Sequence, residues 1–371
     1  MSEAPSSSKS SAASPKTQQP TTAAEAVKGW ESLHNHTVRS DGELAPLEFW
    51  QNASSLGAGA IAFTDHDALP RPGELDLLRR THAKRRARGE RACEWVVGSE
   101  LSSGGAEASS AVHIVGLFLD PANKALAEHC RRVHKARLDR VRRIVASFAA
   151  VGVRTSVDSI VSRVSKGGSV GRPHIVAAVM DSEHNRNRLW SLAQQQIRLI
   201  GQHNEPEHGR ASRRLVKQLV ARHASMKRII YPLCLADNAA MKGIYHSMDY
   251  FLDVQAVGRL VHQAGGLAFL AHYPTCADII TGDMLEAYIR AGDLDGVEVL
   301  WDPELDKQKP WAHARIEQAI QRTGCLVSGG GDIHTLEALQ KYACLPTTAL
   351  SHGLLCGILA SGKVTPEALA R

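Results

Sequence analysis

Ala60-Ile61-Ala62-Phe63-Thr64-Asp65-His66-Asp67 is a run of four apolar residues that passes without a break into four polar ones. The apolar half has the length and character of a strand buried on both faces. The polar half ends it in groups able to hold a proton or a cation. The arrangement recurs along the chain. Ser32-Leu33-His34 is a short strand ending in polar residues, Glu94-Trp95-Val96-Val97 runs into Gly98-Ser99-Glu100, and Leu267-Ala268-Phe269-Leu270 runs into Ala271-His272. Gly296-Val297 leads to Glu298-Val299-Leu300, and Cys325-Leu326-Val327 reaches Gly329-Gly330-Gly331-Asp332-Ile333-His334. A further strand is expected from Val112 to Leu119. Helical patterns lie between, as from Pro46 to Leu56 with Leu47, Trp50 and Ala53 on one face. Short apolar strands alternating with helices predict βα units and a parallel sheet. In a parallel α/β barrel all the carboxyl ends of the strands meet on one face, so polar groups far apart in sequence converge there.

What would converge is a set of metal ligands. His34-Asn35-His36 places two imidazoles on the same side of a strand, and Asp332-Ile333-His334 repeats the spacing with a carboxylate and an imidazole. His66 and His272 stand at strand ends, Asp41 lies in the loop after His36, Glu100 offers two oxygens that can bridge, and His113 opens a strand. Any one of these motifs alone also reads as a surface histidine pair, a helix cap or a turn; their common position at strand ends is what carries weight. His34, His36, Asp41, His66, Glu100, His113, His272, Asp332 and His334 are too many for one tetrahedral ion. Two or three divalent metal ions sharing a bridge are expected, and mixed imidazole and carboxylate ligation suits Mn, Zn or Fe.

The rest of the chain frames this set. In 371 residues, 43% hydrophobic and 22% charged, there is material for a sizeable core. No apolar stretch reaches the roughly 18–20 residues of a membrane span, which argues against a membrane protein. The start of the chain lacks an apolar signal-peptide region. Seven cysteines form no C-x-x-C pair, a pattern that fits a reducing cytoplasm rather than a disulfide framework. A net charge of +6 favours anionic partners. Residues 1–28, rich in Ser, Ala, Pro, Thr and Gln, read as a disordered tail. The α/β text covers 29–121 and 256–371. Between them, 122–255 is helical in pattern and strongly basic, and is expected to form an inserted helical subdomain.

Leu33-His34-Asn35-His36-Thr37 with Ser40-Asp41-Gly42 resembles the opening motif of the polymerase and histidinol phosphatase (PHP) domain family. The resemblance continues through Thr64-Asp65-His66-Asp67, Gly98-Ser99-Glu100-Leu101-Ser102, the strand with His113, Ala271-His272 and Gly331-Asp332-Ile333-His334. It is strongest to the nucleoside 3′,5′-bisphosphate phosphatase and 5′-3′ exoribonuclease subgroup, whose helical insertion opens with a Gly-Arg-Pro-His motif, here Gly171-Arg172-Pro173-His174. Two positions depart from the pattern: Tyr273 stands between His272 and Pro274, and Gly331 precedes Asp332. The resemblance implies a distorted (β/α)7 TIM-like barrel with a trinuclear metal centre. It implies a first metal on His34, His36, Glu100 and Asp332, a second on Glu100, His113 and His272, and a third on Asp41, His66 and His334.

Arg172 and His174 are candidate substrate-binding and catalytic residues: the guanidinium fork matches phosphate oxygens, and His174 is a candidate proton donor to the leaving oxygen. Glu298 reads either as an acceptor behind the ligands or as a capping or salt-bridge carboxylate. The basic run from Arg79 to Arg91 reads as a solvated face, and Cys276 as a packed thiol. The expected function is metal-dependent phosphoesterase chemistry on a small anionic phosphate, a nucleotide, with hydroxide generated where cations lower the pKa of water. Alternatives are a histidinol-phosphate-type monoesterase, a 5′-3′ exonuclease drawing short RNA or DNA along the basic insertion, and a metal-stabilised nucleic-acid-binding or scaffold domain without activity.

Overall fold

The computed structural model describes residues 28–104, 112–165, 168–200, 207–300, 309–345 and 353–369. All but the last residue of the expected tail lies outside them. Seven strands form one sheet in sequential order: β1 (Trp30–Ser32), β2 (Ala58–Phe63), β3 (Glu94–Ser103), β4 (Val112–Leu117), β5 (Leu267–Leu270), β6 (Gly296–Leu300) and β7 (Leu326–Gly330). The edge strands β1 and β7 are linked by two backbone hydrogen bonds, Leu33 to Gly329 and His36 to Ile333, each 2.8 Å, and by a bridge between Asn35 and Ile333. No ladder of paired residues runs between β1 and β7, so a closed barrel is not what the pairing displays.

The expectation of a wholly parallel sheet needs correction. β4 pairs antiparallel with both β3 and β5, while the other neighbours are parallel. The reason is the connection: only residues 104–111 separate β3 from β4, too few for the crossover a parallel pair requires. The reversal matters for chemistry. His113, near the start of β4, falls at the same end of the sheet as the carboxyl ends of the parallel strands.

Strand alternation sorts side chains onto two faces. Ile61, Phe63, Trp95, Val97, Ile114, Ala268 and Leu270 belong to one cluster, which includes Phe49 and Trp50 of helix α1 (Pro46–Ser55) and Leu75 and Leu78 of helix α2 (Pro72–Ala87). Ala60, Ala62, Val96, Val115 and Phe269 belong to a second, completed by Leu354, Leu355 and Ile358 from the helix Leu354–Ala360. The basic run on α2 is a solvated face, as read: Arg79, Arg80, Lys84, Arg86 and Arg88 are exposed. Cys276 is fully buried and its thiol is pushed up to about 12 by burial, which fits a packed thiol.

Between β4 and β5 the chain is helical. It opens with α3 (Lys124–Ala150), capped by the Asn123 side chain on Leu126 N–H. A separate apolar cluster holds this segment together, with Val141, Ile144 and Phe148 of α3 against Ile175, Val179, Leu189, Ile230 and Leu233. No described helix is long and apolar enough to cross a membrane.

Candidate metal centre

The loops leaving the strands do the positioning. β1 ends two residues before His34, and the extended chain then carries His34, Asn35 and His36 alongside the Gly329-Gly330-Gly331 exit of β7. A Cβ on Gly330 would lie 2.5 Å from the His34 nitrogen, so the glycine is what allows the approach. A Cβ on Gly42 would lie 2.2 Å from the His36 oxygen, in the tight turn that folds Asp41 back onto His36. Asp67, His272 and Asp332 have φ of 47°, 29° and 47°. Such left-handed backbone in non-glycine residues costs about 1–3 kcal/mol each and persists where the surroundings over-determine it. Here it turns the chain sharply at three strand ends.

Glu100 is the hub. Its Oε1 lies 2.6 Å from His113 Nδ1 and 2.8 Å from His272 Nε2. Its Oε2 lies 2.8 Å from His66 Nδ1, 3.3 Å from His36 Nε2 and 3.4 Å from His34 Nε2. Asp332 Oδ1 stands 3.0 Å from His36 Nε2 and 3.5 Å from His34 Nε2. Asp41 gathers His36 at 3.5 Å, His334 at 3.4 Å and His66 at 3.8 Å. All nine ligand candidates therefore come together. Three overlapping groups have ligand atoms mutually within 4.8 Å: His36, Asp41, His66 and His334; His34, His36 and Asp332; His66, Glu100 and His113. His36 and His66 are each shared between two groups.

The rings are aimed from behind. Glu298 takes His34 Nδ1 at 2.8 and 3.0 Å and also accepts the His272 backbone N–H at 2.8 Å, which makes it an acceptor behind the ligands rather than a cap. Thr275 Oγ1 holds His272 Nδ1 at 2.8 Å, and the Asp332 carbonyl holds His334 Nδ1 at 2.8 Å. Each contact turns the other ring nitrogen inward.

These residues fit divalent cations. Asp41 Oδ1, His66 Nδ1 and Glu100 Oε2 are buried with no hydrogen-bond partner, although His66 Nδ1 and Glu100 Oε2 nearly touch. His34 Nε2 and His36 Nε2 face each other at 3.2 Å. Lone pairs pointed at one another in a buried space are what a shared cation would relieve. The electrostatics agree. Burial opposes charge on His34, but Glu298, Glu100 and Asp332 outweigh it and raise its pKa well above the ordinary value. His36 rises to about 10 against the same burial, through Asp332 and Glu100. Burial would raise Glu100 and Asp41, yet the surrounding histidines hold both well below the carboxylate range. Protons and cations compete for these positions.

A cavity of about 150 Å³ opens beside the cluster. Asp41, His66 and His113 line one side; Arg137, Arg140, Arg172 and Tyr231, all from the helical segment, line the other. Arg172 thus lies in the cavity wall, with Tyr231 and Tyr245 rings each 5.9 Å from its guanidinium. His174 is not among the lining residues. Its Nδ1 accepts the Gly171 N–H at 2.9 Å, and a second backbone contact at Ser40 engages the ring. Arg137 and Arg140 were hidden in the sequence among the many basic residues of α3. The available signal was burial: of the basic residues on α3, these two fall on the buried stripe with Val133, Val141 and Ile144.

No protein-family profile matches the chain. Among curated proteins, a 3′,5′-nucleoside bisphosphate phosphatase of Chromobacterium violaceum is 31% identical over 150 residues, covering 40% of this chain and 49% of that protein. The 5′-3′ exoribonuclease Rnm of Escherichia coli is 26% identical over 151 residues, 40% of this chain and 47% of that protein. The match thus spans about half the length of these two relatives. A phosphoribosyl 1,2-cyclic phosphate 1,2-diphosphodiesterase of Eggerthella lenta is 27% identical over 309 residues, 82% of this chain and 94% of that protein. Among solved structures, one described as a metal-dependent phosphoesterase from Bifidobacterium adolescentis superposes with a TM-score of 0.58 at 22% identity, covering 89% of this chain and 95% of its own. An amidohydrolase from Chromobacterium violaceum superposes with a TM-score of 0.56 at 22% identity, covering 82% and 88%. The named relatives are a phosphatase, an exoribonuclease and a phosphodiesterase, and the fold is that of these solved structures.

Proposed function

We propose that this chain is a metal-dependent phosphoesterase that hydrolyses a phosphate ester of a nucleotide, either a nucleoside 3′,5′-bisphosphate or a short oligonucleotide. The observation that carries the reading is the cavity with two unlike walls. One presents the Asp41 carboxylate with the His66 and His113 imidazoles, the other guanidiniums from the helical segment. Two to three divalent ions, Mn, Zn or Fe, would be held by His34, His36, Asp41, His66, Glu100, His113, His272, Asp332 and His334. When bound, they supply the lowered pKa of water and neutralise charge on the phosphoryl oxygens. The chain's own residues do the rest. Glu298, Thr275 and the Asp332 carbonyl keep the ring nitrogens aimed inward. Arg172 takes a phosphate oxygen with a planar fork, held between two tyrosines. His174, with its Nδ1 occupied by Gly171, serves to fix the start of the Arg172 helix more than to give up a proton.

In this reading 29–121 and 256–371 form the barrel, with β1 meeting β7, and 122–255 is a subdomain that closes over the barrel's catalytic end. A second reading has its own support. The relative matched along the helical segment as well as the sheet is a cyclic-phosphate diesterase, which favours a diester as substrate.

One experiment addresses both. Metal content is measured by elemental analysis, and release of phosphate or product is followed with Mn²⁺ across nucleoside bisphosphates, short RNA, cyclic phosphodiesters and simple monoesters. Two to three ions per chain and turnover of a nucleotide ester are expected, and Asp332→Ala should lower both. A protein fully active without metal, or inactive on every ester after metal is restored, refutes the reading. Preference for a cyclic diester selects the second.

A further inference from the structure

Asp65 is a fully buried carboxylate that stands outside the ligand set. It lies two residues past the end of β2, between Thr64 and His66. Thr64 Oγ1 accepts the Asn35 N–H at 2.8 Å and donates to the Asn35 carbonyl at 3.0 Å, so this loop is stitched to the one that carries His34 and His36. Asp65 extends the seam. Its Oδ1 accepts the Thr37 N–H at 2.8 Å and the Ser40 hydroxyl at 2.7 Å, and its Oδ2 accepts the Thr37 hydroxyl at 2.8 Å. These contacts close the turn that returns Asp41 to His36.

One of them does more than fold the turn. Ser40 Oγ also lies 3.2 Å from His36 Nδ1. A carboxylate is an acceptor, so the single proton of the Ser40 hydroxyl is committed to Asp65. Toward His36 the hydroxyl can then only accept, and Nδ1 must carry the ring proton. His36 Nε2, which is 3.0 Å from Asp332 Oδ1 and 3.3 Å from Glu100 Oε2, is left with its lone pair facing the cluster. The other acceptor near Nδ1, Asp41 Oδ1, is farther away at 3.5 Å and has no hydrogen-bond partner, which keeps its lone pairs for a cation. Folding the turn does not by itself require a charge. An amide oxygen could take the same N–H and hydroxyls, and burying a carboxylate is costly. An amide both donates and accepts, however, and would leave the Ser40 proton free to point at either neighbour.

We propose that Asp65 is a positioning residue that acts on the metal centre through Ser40: the relay from Asp65 through Ser40 to His36 fixes the His36 tautomer and strengthens Nε2 as a metal ligand. The relay rests on the reading of His36 as a ligand, but not on which ester is cleaved.

The test compares Ser40→Ala, Asp65→Asn and Thr37→Val with wild type in the full-length chain. Affinity for Zn²⁺ is measured by competition with a chelator, and folding by thermal melting of the metal-free chain. Ser40→Ala should bind zinc about 10- to 100-fold more weakly. Asp65→Asn, which keeps the shape and removes the charge, should fall between Ser40→Ala and wild type. Thr37→Val, which removes a tie to Asp65 without touching His36, should melt lower than wild type and keep its affinity. Unchanged affinity in a folded Ser40→Ala overturns the proposal. So does a Thr37→Val chain that loses zinc as Ser40→Ala does, since Asp65 would then act by folding the turn alone. A wild-type chain that takes up no zinc overturns the relay and the metal centre together. If the variants bind zinc as expected while the loaded wild-type chain cleaves no ester, the relay stands and the phosphoesterase reading fails.

Discussion

Arg172 is the second residue of the Gly-Arg-Pro-His stretch and the first of its helix, Arg172–Met180. Pro173 follows where its missing N–H costs nothing, and the His174 ring ties back to Gly171. The guanidinium is therefore presented into the cavity by a rigid helix start. Arg172→Ala should lower kcat/KM about 10- to 150-fold, the equivalent of one charge-assisted contact. Metal content should not change, because Arg172 touches no ligand. Arg172→Lys should recover part of the loss, since an ammonium cannot reproduce the fork. Steady-state kinetics with elemental analysis of each variant check this. An unchanged rate on every substrate would remove Arg172 from the site.

At the scale of elements, a buried ion pair helps to tie the sheet to the helical segment. Asp67, just past β2, holds Arg137 of α3, and Arg137 Nη1 reaches the Val170 carbonyl at 3.3 Å, just before Gly171. Three segments are thereby pinned: the His66 loop, α3 and the approach to Arg172. Burial would raise the Asp67 pKa, but Arg137 and Ser102 outweigh it and lower it below the usual value. A carboxylate depressed in the folded state contributes stability that is fully present above its unfolded value, near 4, and lost as pH falls through the folded one. Asp67→Asn should then destabilise the chain by about 3–5 kcal/mol at neutral pH, because Arg137 is left buried and unpaired. The gap to wild type should narrow as pH drops below about 4. Urea unfolding of both chains across pH measures it; a gap that is constant with pH would show that Asp67 acts through packing alone.

Across the whole molecule, charge and stability are divided between the two ends of the sheet. Residues 122–255 carry 23 Lys and Arg against 10 Asp and Glu, while the remainder carries 21 against 28. The basic pI of about 9.0 is thus a property of the helical segment, placed where it can draw an anion toward the cavity. The opposite end is closed by the C-terminal segment. The Glu31 carboxylate accepts the Gly353 and Leu355 N–H groups at 3.1 and 2.9 Å, and Lys363 reaches Asp295, which precedes β6, at 2.6 Å. Leu355 is fully buried there in the cluster that contains Leu33 and Phe269. Leu355→Ala should cost about 2–5 kcal/mol of stability, with metal content and kcat of the folded protein unchanged at low temperature. Thermal melting and assay at one temperature separate the two effects. A variant that loses metal in step with stability would place the two ends in one unit.

How much of this is legible in the sequence alone follows from range. The strands, their order of polar endings and the nine ligand candidates could be read from short stretches, because strand burial, H-x-H spacing and triple glycine are local patterns. Pairing direction was not legible for β4: the alternation of apolar and polar residues is the same in either direction, and only the short 104–111 connection reverses it. Nor was the arginine wall. Arg137 and Arg140 differ from Arg142 and Arg143 in the sequence only by helical phase, and that phase acquires meaning only when α3 packs over the sheet and turns two of them inward. The same holds for Glu298, whose alternatives stayed level until β6 laid it against His34 and His272. Residue type and local spacing thus settle what each group could do. Long-range packing alone settles which groups lose their water and which neighbours they then face, and that loss gives Glu100 its ring of histidines and sets Arg140 in the cavity wall.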